Sequence, residues 1–130
     1  MRFVKTLPLV LVFLGSTLAC GTAAALPTDR EQPIRVQADS AELDDKQGVA
    51  VYRGSVVITQ GSLKITGDQV TITQSPQGDV ELFTAIGEPA YYEQQPSTDK
   101  AIVKAYGKTI QYYAATERIV LIDQAKVIQE

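Results

Sequence analysis

The chain is predicted to be all-β: an antiparallel β-jelly roll, that is, a twisted, open-ended sandwich of repeated strand pairs. Three observations lead there. One strand-turn-strand phrase occurs three times, apolar and polar residues alternate with period two, and no long segment carries helical periodicity. In the first copy Ala38-Asp39-Ser40-Ala41-Glu42-Leu43 leads into Tyr52 to Gln60. In the second Gly67-Asp68-Gln69-Val70-Thr71-Ile72 leads into Gly87 to Gln94. In the third Gly107-Lys108-Thr109-Ile110-Gln111-Tyr112 leads into Leu121 to Gln129. Copies of this length imply stacked units, none of which buries its apolar face alone. A Gln closes each copy at the same place: Gln60, Gln94 and Gln129.

The N-terminus has the pattern of a secretory signal peptide over residues 1–25. Arg2 and Lys5 precede the apolar stretch Leu7 to Leu14, and small residues run on to Ala23-Ala24-Ala25. That apolar stretch is far shorter than the roughly 20 residues of a spanning helix. Lipidation of Cys20 is the rival fate, disfavoured by Thr17 where lipoprotein signals carry Leu or a similar residue. Cleavage after Ala25 leaves a chain without cysteine, and hence without a disulfide framework. The mature part keeps ten basic and fifteen acidic side chains, a net charge of −5. An acidic chain with no basic run is a poor binder of nucleic acid, and no polybasic dock for anionic lipid is evident.

A polar, proline-bounded stretch over 26–33 is expected to be a flexible lead-in, and a domain over 34–130 follows. Ile34 and Val36 alternate with Arg35 and Gln37, Val70 and Ile72 with Thr71 and Thr73, and Ile110 and Tyr112 with Gln111 and Tyr113. Val, Ile, Thr and Tyr suit a half-buried pleated surface. Asp39 to Glu42 also resembles a helix-capping box, but the matching positions of the other copies are β-branched or turn-like, so a strand is expected. Gln60-Gly61-Ser62, Ser75 to Asp79 and Gln95 to Asp99 punctuate the strands. The count comes to about ten to twelve short strands. Parity puts Ile34, Val36, Leu43, Tyr52, Val56, Ile58, Ile65, Val70, Ile72, Leu82, Ala90, Tyr92, Ile110, Tyr112, Ile119, Leu121 and Val127 inside. A bulge would invert that parity locally.

Little in the mature chain suggests catalysis. Without His or Cys the commonest nucleophile–base pairs and metal clusters are missing. Asp44-Asp45 beside Lys46 and Gly48 reads as a turn, and the repeat position holding Asp39 and Asp68 becomes Lys108 in the third copy. A residue that changes charge between copies points to a structural strand end. No catalytic residue, metal or cofactor is therefore expected.

Ile34-Arg35-Val36-Gln37-Ala38-Asp39, the run Val51 to Gly61, Ile65-Thr66-Gly67-Asp68, Gly87 to Tyr92 and Leu121 to Val127 together resemble the OstA-like family of periplasmic lipopolysaccharide-transport bridge proteins. The resemblance covers essentially the whole mature chain. It implies a jelly roll whose apolar interior holds lipid A acyl chains, joined head to tail through edge strands. Implied partners are lipopolysaccharide, the inner-membrane export complex through LptC, the outer-membrane translocon LptD, and further copies of the chain, with energy supplied by an ATPase elsewhere. Ile34, Val36, Tyr92, Ile110 and Tyr112 match the family's lipid-contacting strand positions. Parity and the groove expectation add Leu43, Tyr52, Val56, Ile58, Val70 and Ile72. Family members continue past the position of Gln129, so a shortened third copy and an altered docking edge are expected here. A structural periplasmic adaptor that holds no lipid is the alternative.

Overall fold

The computed structural model describes residues 29–129; the expected signal peptide and Cys20 lie outside the described residues. Among the described residues, eight antiparallel strands follow a 3-10 turn at Asp29–Glu31: β1 (Arg35–Gln37), β2 (Ser40–Asp44), β3 (Val49–Gln60), β4 (Leu63–Gln74), β5 (Val80–Gln94), β6 (Val103–Tyr113), β7 (Arg118–Ile122) and β8 (Lys126–Gln129). They pair in the order β1-β3-β4-β5-β6-β7, with β2 also on β3 and β8 also on β6. After a bend at Asp39, the stretch from Ser40 is strand and not helix, as the repeat required.

The expected ten to twelve short strands resolve into eight because β3 to β6 each run through the whole sandwich and bend in the middle. The pairing register slips at the bend: between Arg53 and Val56, between Thr66 and Gln69, and between Ile86 and Ala90. Such bulges sharpen local twist and turn a long strand. Each long strand carries a glycine there: Gly54, Gly67, Gly87 and Gly107. Gly54 sits at φ 88°, in the left-handed region that Gly enters without strain. A Cβ on Gly67 would lie 2.8 Å from the Ile86 carbonyl oxygen, so only Gly allows the strands to meet at the crease.

The crease folds the sheet into two leaves. The first holds β2, the N-terminal halves of β3 and β5, the C-terminal halves of β4 and β6, and β7; the second holds β1, the opposite halves, and β8. Each repeat copy is thus one first-leaf segment followed by one that ends in the second leaf. The repeat position that changes charge lies at the crease, where Asp39 donates its backbone N–H to the Arg53 and Gly54 carbonyls and Lys108 donates its own to the Asp123 carbonyl. That is a structural role, as its change of charge suggested.

Between the leaves Val56, Ile58, Ile65, Val70, Phe83, Ala85, Ala90, Ile110 and Tyr112 are buried at 0–1% exposure. Burying each large apolar side chain is worth about 1.5–3 kcal/mol. Tyr112 packs on Phe83 in its own leaf (ring centroids 6.0 Å apart) and on Tyr92 of the other leaf (5.5 Å), bringing the two leaves into contact. Leu82 corrects the parity expectation. The register slips between the Thr73 and Gln74 pairings, so Val80 and Phe83 face inward and Leu82 outward. Leu43 and Val127 keep inner-face positions opposite Ala50 and Ala105, but are 67% and 61% exposed because they lie on the edge strands β2 and β8. Tyr91, Tyr106 and Tyr113 face outward, Tyr91 against Tyr106 and Tyr113 under the Arg118 guanidinium.

Candidate functional site

The two leaves do not close along the N-terminal edge. Ile34 and Val36 from the second leaf face Leu43, Ala50, Tyr52, Ile72 and Val80 from the first, around a cleft of about 300 Å³. Asp44, Asp45 and Gln74 stand at its rim. Asp44 is engaged there as a turn residue, accepting the Gln47 N–H at 3.1 Å. A wider space of about 630 Å³ shares Ile34 and Val80 and opens between the leaf tips, past Arg30, Glu31, Gln60 and Ala114. An apolar wall with a few polar groups at the mouth suits an amphiphile whose apolar part enters first.

Five of the sequence-predicted lipid positions meet at this cleft: Ile34, Val36, Leu43, Tyr52 and Ile72. The other six, Val56, Ile58, Val70, Tyr92, Ile110 and Tyr112, lie deeper, sealed at 3% exposure or less. Burial pushes the Tyr92 and Tyr112 hydroxyls above the ordinary tyrosine range, so both stay neutral and the interior carries no charge from them. Val80 and Ala114 complete the walls and were missed. The bulge hid Val80, and Ala114 lies just past the end of β6, where period two no longer guides.

The tip of the second leaf holds a polar clasp that strand periodicity does not show. The Asp29 carboxylate accepts hydrogen bonds from the Ser62 N–H (2.9 Å), the Ser62 hydroxyl (2.6 Å) and the Gln94 amide (2.8 Å). Burial alone would raise the Asp29 pKa, but these donors outweigh it and hold the carboxyl below its ordinary value. Gln60, nearly buried, donates to the Arg30 and Gln32 carbonyls at 3.2 and 3.1 Å. Gln94 also accepts the Tyr92 hydroxyl. Two of the repeated glutamines thus pin residues 29–32 beside the mouth, so the expected flexible lead-in is tethered from Asp29 onward. Gln129, the third, is exposed on β8.

Residues 35–130 match the family model described as LptA/(LptD N-terminal domain) LPS transport protein. The chain belongs to that family. Similarity to individual members of this LPS transport family is extensive. Over 132 residues the chain is 67% identical to the lipopolysaccharide export system protein LptH of Pseudomonas aeruginosa, covering 100% of this chain and 74% of LptH. Over 126 residues it is 33% identical to LptA of Escherichia coli K12, covering 95% of this chain and 67% of that protein. The fold matches the crystal structure of LptH, described as the LptA-homologous periplasmic component of the P. aeruginosa lipopolysaccharide transport device. The TM-score is 0.75 at 69% identity, over 80% of this chain and 71% of that one.

Proposed function

We propose that this chain is a periplasmic carrier of lipopolysaccharide, a bridge component that is not an enzyme. The acyl chains of lipid A would enter the cleft between the leaves while the saccharide stays in water. The observation that carries this is the apolar cleft at the N-terminal edge, backed by a packed interior of aliphatic and neutral aromatic side chains. Each methylene buried there contributes about 0.8 kcal/mol. Among the described residues no strand pairing joins the leaf tips, so the leaves part about the glycine crease to admit more chain. Val56, Ile58, Val70, Tyr92, Ile110 and Tyr112 then become lipid contacts in addition to the five at the cleft.

The signal-peptide pattern expected at 1–25 and the likeness to LptH, itself a periplasmic component, support a periplasmic address. The paired edges β1/β2 and β7/β8 support head-to-tail strand addition, with LptC and LptD as the flanking partners and further copies between them. Sedimentation over a range of concentrations checks the self-association. A strictly monomeric chain throughout rules it out.

One observation favours the structural adaptor that holds no lipid: the centre of the sandwich is already full, with Ile58, Ile65, Val70, Ala85 and Ala90 at 0% exposure. Photo-crosslinking with purified lipopolysaccharide separates the two functions. Probes at Val36, Ile72 and Ile110 are compared with one at outward-facing Tyr113. Carriage predicts strong labelling at Val36 and Ile72, with labelling at Ile110 if the leaves part. Inner sites labelling no better than Tyr113 would leave the adaptor.

A further inference from the structure

The geometry points to a cationic ledge on the outside of the second leaf, just below the mouth, that receives the phosphates of the lipid whose acyl chains occupy the cleft. This rests on the carrier function proposed above and names the part of the ligand it leaves unheld. The pairing register aligns Arg35, Thr59, Lys64, Glu93, Lys104 and Ile128 in one row across six adjacent strand segments. Arg35 lies between Ile34 and Val36, which both line the cleft, so its side chain takes the outer face. The neighbouring rows on the inner side include Val36, Ile58, Ile65, Tyr92 and Ala105, which fixes the outward sense of the whole row.

Strands lie about 4.8 Å apart, so along the alternate strands Lys64 stands about 10 Å from Arg35 on one side and about 10 Å from Lys104 on the other. All three are exposed. The two ion pairs among the described residues, Arg53–Glu42 and Lys108–Glu88, involve none of them. The row's single carboxylate, Glu93, is half-buried and accepts the Tyr91 hydroxyl at 2.7 Å. A fourth cation, Lys126, stands in the next outer row over the Tyr106 ring. A shallow depression of about 250 Å³ bordered by Thr59, Gly61, Ser62, Lys64, Glu93, Gln95 and Ile102 gives the ledge a seat at the leaf tip. The outer face of the first leaf has no such excess: Arg53 is matched by Glu42, and Arg118 covers Tyr113.

The occupant this fits is a glycolipid with separated anionic groups, and lipid A carries a phosphate at each end of its disaccharide. With acyl chains in the cleft and the sugar folded over the rim, one phosphate meets Lys64 and the other Arg35 or Lys104. Evenly spaced cations also let a headgroup shift along the row without losing its contacts.

The test compares bisphosphoryl lipid A with dephosphorylated lipid A, titrated against the full mature chain. Wild type is expected to prefer the bisphosphoryl form, and raised salt should shrink that preference. The double variant Lys64→Gln/Lys104→Gln should bind bisphosphoryl lipid A about fivefold more weakly, the scale of two exposed ion pairs. Its binding of dephosphorylated lipid A should be unchanged, which also shows that it is folded. Arg53→Gln, with the same kind of charge removed from the other leaf, should match wild type. Equal loss for both lipids, or no loss for either, overturns the ledge and leaves the carrier standing. A wild-type chain that binds neither lipid overturns both.

Discussion

The two leaves are built from the same repeated phrase, yet they divide the work of the molecule. Their inner faces are alike: period-two Ile, Val, Ala and aromatic residues meet at the centre, and a glycine in each long strand lets both leaves fold from one crease. Their outsides and tips diverge. The first leaf is charge-balanced outside, and its Leu43, Ala50, Tyr52 and Val80 leave an apolar wall partly open to water. The second leaf is cationic outside and carries the Asp29 clasp at its tip. A repeat fixes what the copies must share, the core and the crease. Edges and outer faces are free to differ, and the proposed strand-addition edges and phosphate ledge lie there.

The largest expected effect comes from breaking what the leaves share. Tyr112 is 1% exposed and touches aromatic rings in both leaves. Tyr112→Ala should cost about 3–5 kcal/mol, the range for deleting a buried aromatic ring. Urea unfolding measures this. A loss below about 1 kcal/mol would mean that the leaves are not coupled through this ring.

Most of the shared architecture was legible because it obeys a period. Strand class, the turns, the burial of Val56, Ile58, Ile65, Val70, Ile72, Ala90, Tyr92, Ile110 and Tyr112, and the structural role of the Asp39/Lys108 position all follow from alternation and repeat. What failed lies where a second dimension decides. Leu82 was misplaced because a bulge is a property of two paired strands, not of one run. The cation row was invisible for a similar reason: Arg35, Lys64 and Lys104 are far apart in sequence and align only through the register, where a search for basic runs does not reach. The Asp29 clasp joins residues 33 and 65 positions apart, beyond any local pattern.

A smaller effect separates the leaves by pH. The folded state holds the Asp29 carboxyl below its ordinary value of 3.8, so the clasp adds stability at pH above that value. The contribution is lost as pH falls through the lower folded-state pKa. Asp29→Asn should lower stability at neutral pH by at most about 1 kcal/mol, since the group is part-exposed and screened. Thermal unfolding should therefore show wild type above the variant at pH 6 and the gap closing below about pH 3.8. A gap that persists unchanged into stronger acid would mean that the carboxylate charge is irrelevant to the clasp.

The smallest effect on stability should accompany a large one on binding. Leu43 has an inner-face position but is 67% exposed, so little water is excluded from it in the free protein. Leu43→Ser should change stability by less than about 0.5 kcal/mol, as surface substitutions generally do. Leaving Leu43 uncovered has a use only if something apolar covers it, and the cleft wall it shares with Val36 and Tyr52 is where an acyl chain would lie. Covering such a side chain is worth about 1.5–3 kcal/mol, so losing it should weaken lipopolysaccharide binding about tenfold or more. Ile58→Ser is the converse: at 0% exposure it should destabilise the fold heavily. Affinity measured beside unfolding free energy for the Leu43 variant decides the matter. Unchanged affinity would detach the open wall from lipid carriage and leave strand addition at this edge as the reason Leu43 lies bare.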